Sequence, residues 1–314
     1  MIKDLVSIII PVYNRENLIS QTIDSILKQN YSKFECIIID DGSIDNTLCI
    51  VNDFVRKDNR VKVIPRPKHL KKGANSCRNY GFKLSKGEYV IWFDSDDIMT
   101  YDSIDVRFSK FYQSNFDFVI GNVQKFDIYN IPENSTQVFN KSNLPITASN
   151  YLTSESWFHT SAPLFKKEYL LKYKYLFDID LKFHDETELF TRLLLDKPNV
   201  CTVNKITTLR RMHSTSIYGR LKQFKHSDKL LEEYPGYIKI FQHFFKEKKY
   251  ITKEVLDFYK FLFNEWIFKI EGHFFLKFIL IFKGYKFSLF DKNYVFKKFI
   301  YLQFYSLIKR IKHI

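Results

Sequence analysis

Three carboxylates fall within four positions at Asp94-Ser95-Asp96-Asp97, and the apolar run Tyr89-Val90-Ile91-Trp92-Phe93 leads straight into them. Carboxylates this crowded repel one another unless a cation gathers them. Oxygen-rich clusters suit hard divalent ions such as Mg2+ or Mn2+, and those ions in turn suit phosphates. The residue types therefore point to a metal–diphosphate site. A second acidic pair, Asp40-Asp41, follows the apolar run Cys36-Ile37-Ile38-Ile39 and precedes Gly42-Ser43. A third, Asp185-Glu186, heads a helical pattern that runs to Leu195, and Arg210-Arg211-Met212-His213 adds cations and an imidazole. Each group also has a plainer explanation. Asp40 and Asp41 can form a turn with Gly42 and cap the next helix. The Asp94 cluster can be the acidic first turn of a helix, with Asp97 the member best suited to capping. Glu188 and Arg192 read as an i,i+4 pair on a helix surface.

The elements that must position these acids alternate along the first hundred residues. Val6–Ile10 reads as a strand stopped by Pro11, and Leu18, Ile19, Thr22, Ile23, Ile26 and Leu27 repeat at helical spacing. Cys36–Ile39 is a second buried strand, a helix follows from about Asp45, and Val61–Ile64 is a third strand. Gly73 opens another helix, and Gly87 falls in the turn before the strand that ends at Asp94. Strands alternating with helices imply an α/β fold with a mostly parallel sheet covered on both faces. Ligands of such sheets gather at the carboxyl ends of the strands, where both acidic clusters fall. The polar stretch 130–150 contains Pro132 and Pro145 and reads as a loop. Beyond Ile217 the texture changes to helical segments dense in Phe, Tyr and Lys, so the expected division is residues 1–216 and 217–314. No internal repeat is visible.

The 314 residues are 45% hydrophobic, enough for a real core and incompatible with a disordered chain. A formal net charge of +14 invites anionic partners, although a general bias toward Phe, Tyr, Lys, Ile and Asn contributes to it. Cys36, Cys49, Cys77 and Cys201 have no metal-ligand spacing and are expected as buried free thiols in a reducing compartment. The sequence begins without the features of a secretory leader, so a cytoplasmic location is expected. No Gly-x-Gly-x-x-Gly follows the first strand, which argues against a dinucleotide-binding dehydrogenase. A basic, aromatic nucleic-acid-binding protein would account for the charge but leaves the strand-end acids unexplained.

Taken in order, Val6–Asn14, Ile39-Asp40-Asp41-Gly42-Ser43, Asn75–Gly81, Lys86–Tyr89 and Asp94-Ser95-Asp96 resemble the inverting glycosyltransferases of family 2, with the GT-A nucleotide-sugar-binding fold. The resemblance spans roughly residues 5 to 216, and the ordered set is far more specific than any one motif. It implies a GT-A catalytic domain, and the texture beyond Ile217 adds a helical, basic, aromatic-rich C-terminal region. Pro11 and Tyr13 would line the nucleotide pocket, and Asp41 would accept the imide N–H of a uracil-type base. Asp94-Ser95-Asp96 matches the family's Asp-x-Asp motif: Asp96 would bind Mn2+ or Mg2+, with Asp94 on the ribose or the metal's outer shell. Arg78 would lie near the diphosphate, where a guanidinium fork suits phosphate oxygens. The family's general base is the second acid of a Glu-Asp pair, which maps to Glu186, with Asp185 as the fallback because the order here is inverted. His213 would complete the metal shell or donate to the diphosphate, and Arg211 would offset its charge. The implied reaction is metal-dependent transfer of a sugar from a nucleotide diphosphate donor, a UDP-sugar in the first instance, to a glycan or lipid-linked acceptor in bacterial surface polysaccharide synthesis. Trp157 and His159 are acceptor-side candidates by position alone. The inverted Asp185-Glu186 order also leaves room for a catalytically inactive scaffold.

From Trp266 onward ten basic residues stand against Glu271 and Asp291. Phe296, Ile300, Phe304, Leu307, Ile308 and Ile311 share one helical face, with Lys309, Arg310 and Lys312 off it. Such a helix suits an anionic membrane surface. The apolar run Phe274–Phe282 is interrupted by Lys277 and falls short of the ~20 residues a span requires. Peripheral attachment to the inner face of the cytoplasmic membrane is the expectation, with packing on the catalytic domain as the alternative.

Overall fold

The first strand is longer than its apolar stretch. In the computed structural model, which describes residues 1–127, 145–213, 226–246 and 252–269, β1 (Ile2–Val12) continues through Pro11. In a parallel ladder each residue directs its N–H and C=O to one neighbour, alternating along the strand. The Ile9 carbonyl accepts from Phe93 N–H on the β4 side, and the Val12 carbonyl accepts from Asp41 N–H on the β2 side. Pro11 therefore faces the β4 side, beyond the last β1–β4 pair, Ile9–Trp92. Its missing N–H forfeits no ladder bond.

β2 (Phe34–Asp40), β3 (Val61–Pro65) and β4 (Gly87–Trp92) join β1 in parallel, and β2 is buried throughout. Fully buried Ile8, Ile10, Ile38 and Ile91 each contribute about 1.5–3 kcal/mol relative to exposure. Gly87 is the first residue of β4 rather than a turn residue, and the strand ends at Trp92, two residues short of Asp94. The sheet runs β3-β2-β1-β4-β7-β6-β8-β5. Its second half is mixed: β7 (Pro163–Lys166) is antiparallel to both β4 and β6 (Phe118–Asp127). β8 (Val200–Met212) is parallel to β6, and the two-residue β5 (Ile98–Met99) is antiparallel to β8.

Helices cover the sheet. α1 (Ile19–Leu27) buries Ile19, Thr22, Ile23 and Ile26, the positions its periodicity selects. α2 (Thr47–Lys57) follows β2. α3 (Ala74–Leu84) is opened by Gly73, whose φ of 138° is one that residues with a side chain rarely adopt. α4 (Ser103–Phe108), α5 (Ala148–Leu152) and α6 (Lys167–Leu170) are short, and α5 makes the end of the expected 130–150 loop helical. α7 (Asp185–Leu195) carries the second acidic constellation. Fully buried Trp92 packs edge-on against Phe165 and Phe177, with ring centroids 5.5 and 5.0 Å apart. Among the thiols Cys36 and Cys77 are buried, but Cys49 is exposed, contrary to expectation, because its position on α2 faces away from the sheet.

The chain divides into two units, Met1–Ser216 and Ile217–Ile314. In the second, α8 (His226–Lys246) and α9 (Lys253–Lys269) pack through Phe241 and Tyr259, 4.3 Å between ring centroids. Tyr259 donates its hydroxyl to the Tyr237 carbonyl at 3.0 Å. Among the described residues no helix is long and apolar enough to cross a membrane. The apolar run Phe274–Phe282 and the amphipathic face of residues 296–311 lie outside the described residues.

Candidate active site

The carboxyl ends of β1, β2 and β4 bring two acidic groups to one edge of the sheet. At the ends of β1 and β2 the two aspartates divide their work. Asp40 accepts from Gly42 N–H at 2.9 Å and from Ser43 N–H at 3.2 Å, so it makes the turn. Asp41 is ion-paired with Arg66, while Pro11 is buried beside them and Tyr13 is exposed with the Lys72 ammonium 4.0 Å from its ring centroid.

The Asp94 cluster is not a helix start. β5 intervenes and α4 begins only at Ser103. The Thr22 hydroxyl fixes its backbone, donating toward the Asp97 carbonyl at 2.8 Å and that of buried Ser95 at 3.1 Å. Asp97, expected as a helix cap, instead accepts the Arg211 N–H at 2.9 Å through Oδ1 and is almost fully buried. Burial, reinforced by Asp96 and Asp94, pushes its pKa well above the ordinary aspartate value. The Arg211 guanidinium is directed to the Asp96 carbonyl at 2.8 Å and to Gln21 at 2.6 Å. His213 lies 2.9 Å from Asp96 Oδ2, and Arg15 Nε lies 3.6 Å from the same oxygen.

Arg78 joins this cluster to α7. Its guanidinium donates to Asp94 at 2.8 Å, to Asp185 at 3.3 Å and to Asn75 at 3.0 Å, and its Cζ lies 5.0 Å from the Phe177 ring centroid. Burial opposes its charge, but Asp94 and Asp185 outweigh that and hold its pKa above the usual arginine value. For Asp94, burial likewise works against ionisation, and the charge and hydrogen bond of Arg78 overcome it to keep the pKa low. Asp185 is raised by burial against the pull of Arg78. Glu186 goes furthest: burial lifts it to about 7, against Arg210 and the Thr160 hydrogen bond, with Asp185 and Asp94 adding to the rise. Glu186 Oε2 accepts from the Thr160 hydroxyl at 2.6 Å and from Thr160 N–H at 3.2 Å. Glu188 is fully buried, so its pair with Arg192 at 2.9 Å is internal rather than a surface pair.

The donor set fits a hard divalent ion. Asp94, Asp97 and His159 offer ligand atoms that all lie within 4.8 Å of one another. Asp97 Oδ2 is buried with no hydrogen-bond partner. Burial, aided by Arg210, lowers His159 to about 3, which keeps its imidazole neutral and able to ligate. Asp96 and His213 form a second carboxylate–imidazole pair beside this group. A bound cation would oppose the burial and like charges that raise the Asp97 pKa.

The family model described as Glycosyl transferase family 2 matches residues 7–173, just over half of the chain. The protein belongs to glycosyl transferase family 2. Glycosyltransferase GlyG of Streptococcus pneumoniae is 37% identical over 124 residues, 40% of this chain and 40% of that protein. The UDP-Glc:alpha-D-GlcNAc-diphosphoundecaprenol beta-1,3-glucosyltransferase WfgD of Escherichia coli is 38% identical over 120 residues, 38% of this chain and 46% of that one. The matches thus span less than half the length of these curated relatives. In fold, the chain is similar to S. aureus TarS 1-349 in complex with UDP, with a TM-score of 0.58 and 18% identity over 95% of this chain and 91% of that one. Mannosyltransferase PcManGT from Pyrobaculum calidifontis, in complex with GDP-Man and Mn2+, gives a TM-score of 0.54 with 17% identity over 98% and 86% of the two chains. The architecture is that of the GT-A fold.

Within this family member, several residues of the site carry no sequence signal of their own. Arg15, Arg66 and Thr160 lie outside every motif, and Arg107 is an isolated arginine on α4. His159 was marked only by position. It sits 3.7 Å from Asp94, with the Trp157 ring centroid 6.2 Å from its own.

Proposed function

We propose that this protein is a metal-dependent inverting glycosyltransferase that moves a sugar from a UDP-linked donor to a hydroxyl of a glycan or lipid-linked glycan in bacterial surface polysaccharide synthesis. The observation that carries this reading is the Arg78 bridge, which ties Asp94 of the Asp-x-Asp motif to Asp185 beside Glu186. Donor-side acids and a carboxylate with a pKa of about 7 thereby lie together in one cluster. A group of that pKa is suited to general base work near neutrality.

In this reading Pro11 and Tyr13 line the nucleotide pocket and Asp41 accepts the imide N–H of the base. Asp96, Asp94 and His213 hold Mn2+ or Mg2+, with Asp97 and His159 close enough to share in the shell. When bound, the ion supplies Lewis-acid neutralisation of the diphosphate leaving group. Glu186, ionised, removes the proton of the acceptor hydroxyl as that oxygen bonds to the anomeric carbon. The bond from that carbon to the diphosphate oxygen breaks on the opposite side, its electron pair leaves with the nucleotide, and the configuration inverts. Asp185, engaged by Arg78, is the alternative base, and Arg211 supports the site through the Asp96 carbonyl. The name of WfgD specifies a UDP-Glc donor and a diphosphoundecaprenol-linked acceptor, which supports a lipid-linked substrate here. The basic C-terminal region then serves as a peripheral contact with the anionic inner face of the membrane; nucleic acid has no role in this scheme.

Calorimetric binding of UDP-glucose, UDP-GlcNAc and GDP-mannose with Mn2+, Mg2+ or EDTA, in wild type and Asp96→Asn, tests the reading. One donor is expected to bind only with metal and at least about tenfold more weakly in the variant, the scale of one lost charge-assisted contact. Equal affinity in both proteins, with and without metal, would refute the metal role.

A further inference from the structure

The hydrogen bonds to Glu186 all fall on one of its two carboxylate oxygens. Thr160 supplies both, with its hydroxyl and its N–H on Oε2. Oε1 has no hydrogen-bond partner among the described residues, and the residue as a whole is only partly buried. A glutamate carries one more rotatable bond than the aspartate its family position would hold. Two donors from a single residue remove that freedom.

The segment that carries Thr160 is itself held in an unusual way. Arg107 on α4 is fully buried and has no acidic partner among the described residues. It donates to the carbonyls of Ser161 at 3.2 Å and Ala162 at 2.8 Å, and back to the Ser103 carbonyl at 2.9 Å and hydroxyl at 2.7 Å. Burial pulls its pKa down to about 9. A lone buried guanidinium is expensive, and the carbonyls it holds beyond its own helix directly follow Thr160.

We propose that Thr160 is a positioning residue for the Glu186 carboxylate, aiming Oε1 at the acceptor hydroxyl, and that Arg107 fixes the segment from which Thr160 does so. This rests on Glu186 being the general base. The charged groups facing Glu186 are Arg210 on β8, Arg78 on α3, Asp185 beside it on α7 and Asp94 beyond β4, and none of them donates to its carboxylate in place of Thr160.

The test uses the full chain labelled with carboxyl-13C glutamate, with the Glu186 resonance assigned by its loss in Glu186→Gln. Thr160→Val keeps the side chain's size and removes one donor to the charged form. It is expected to titrate Glu186 above the wild-type value of about 7, and Thr160→Ser is expected to restore that value. With the donor selected by the binding panel, Thr160→Val is expected to lower kcat about tenfold with donor KM within about twofold, again rescued by serine. An unchanged titration and an unchanged kcat in Thr160→Val, while Glu186→Gln is inactive, would overturn the positioning role alone. Full activity of Glu186→Gln would instead remove the base assignment, and the positioning role with it.

Discussion

Arg78→Gln is the perturbation that most directly probes how this site is held together. The substitution removes a guanidinium that lies between Asp94 and Asp185, with bonds of 2.8 and 3.3 Å, all three side chains being one quarter exposed or less. Breaking a buried pair leaves an uncompensated charge, a loss of 3–5 kcal/mol in well-shielded cases; partial exposure and the longer Asp185 bond scale this to about 3 kcal/mol. For a unit of about 200 residues that corresponds to a fall in melting temperature of about 6–12 °C. The pH dependence is equally specific. The folded state holds Asp94 below its ordinary pKa, so its stabilisation is present above the unfolded value and is lost as pH falls through the folded value. Without Arg78 both carboxyls move up and protonate instead of remaining as bare charges. The deficit of the variant should therefore be greatest near pH 7.5 and shrink toward pH 4.5. Scanning calorimetry of the full chain at the two pH values measures this. A variant that melts within about 2 °C of wild type at pH 7.5, or whose deficit is constant with pH, would refute the bridge as the link between the two acidic groups.

Two further outcomes follow from the same geometry. Activity in wild type should rise as pH increases through about 7, where Glu186 loses its proton, and Glu186→Gln should lower kcat by about 10²–10⁴ with donor binding retained. Because the fold disfavours the ionised form of Glu186, the same variant should melt higher than wild type at pH 8 and with it at pH 4.5, a pattern that thermal scans across pH check directly. Gly87→Ala should destabilise the first unit by about 2–3 kcal/mol in urea unfolding. A Cβ there would stand 2.5 Å from the Leu5 carbonyl oxygen and 2.8 Å from Ser7 N, backbone atoms of β1 that cannot step aside.

The half of the fold that carries the donor acids was legible because its signals are local. Ile8, Ile9, Ile10 and the run Cys36–Ile39 are continuous apolar stretches of strand length, and acids at their ends fall where a parallel sheet gathers ligands. In the other half only the helix ending at Leu195 was read, and its strands were not. β6 and β8 pair across some eighty residues, and segments such as Val200-Cys201-Thr202-Val203-Asn204-Lys205 alternate too weakly to announce a strand. Asp97 shows a different limit. Sequence places three acids side by side but cannot say which one turns inward. Here the two-residue β5 begins at Ile98, so Asp97 meets β8 and the Arg211 N–H instead of capping a helix. Arg192 and Glu188 share that limit: the i,i+4 spacing was right, and the burial came from Arg192 also reaching the carbonyls of Tyr175 and Leu176.

The inverted order of Asp185 and Glu186 becomes intelligible in this setting. The two acids are adjacent at the head of α7, yet their environments differ. His184 before them adopts φ 59°, a left-handed conformation uncommon for a residue with a side chain, and the chain turns into the helix there. Asp185 then faces Arg78, whose pull opposes the rise that burial imposes on its carboxyl, because accepting a proton would weaken the pair. Glu186 has no cation in hydrogen-bonding contact among the described residues, and its longer side chain reaches Thr160, 26 positions earlier in the chain. Burial raises both carboxyls, and it is their different partners, Arg78 for Asp185 and Thr160 for Glu186, that give them different tasks. The shorter acid is tied to the arginine that also holds the donor motif; the longer one is left with a free oxygen and a pKa near neutrality. An Asp185→Glu, Glu186→Asp double exchange would restore the family's usual order, yet it would shorten the reach to Thr160 and crowd Arg78. On this argument the common order is the wrong one for this chain.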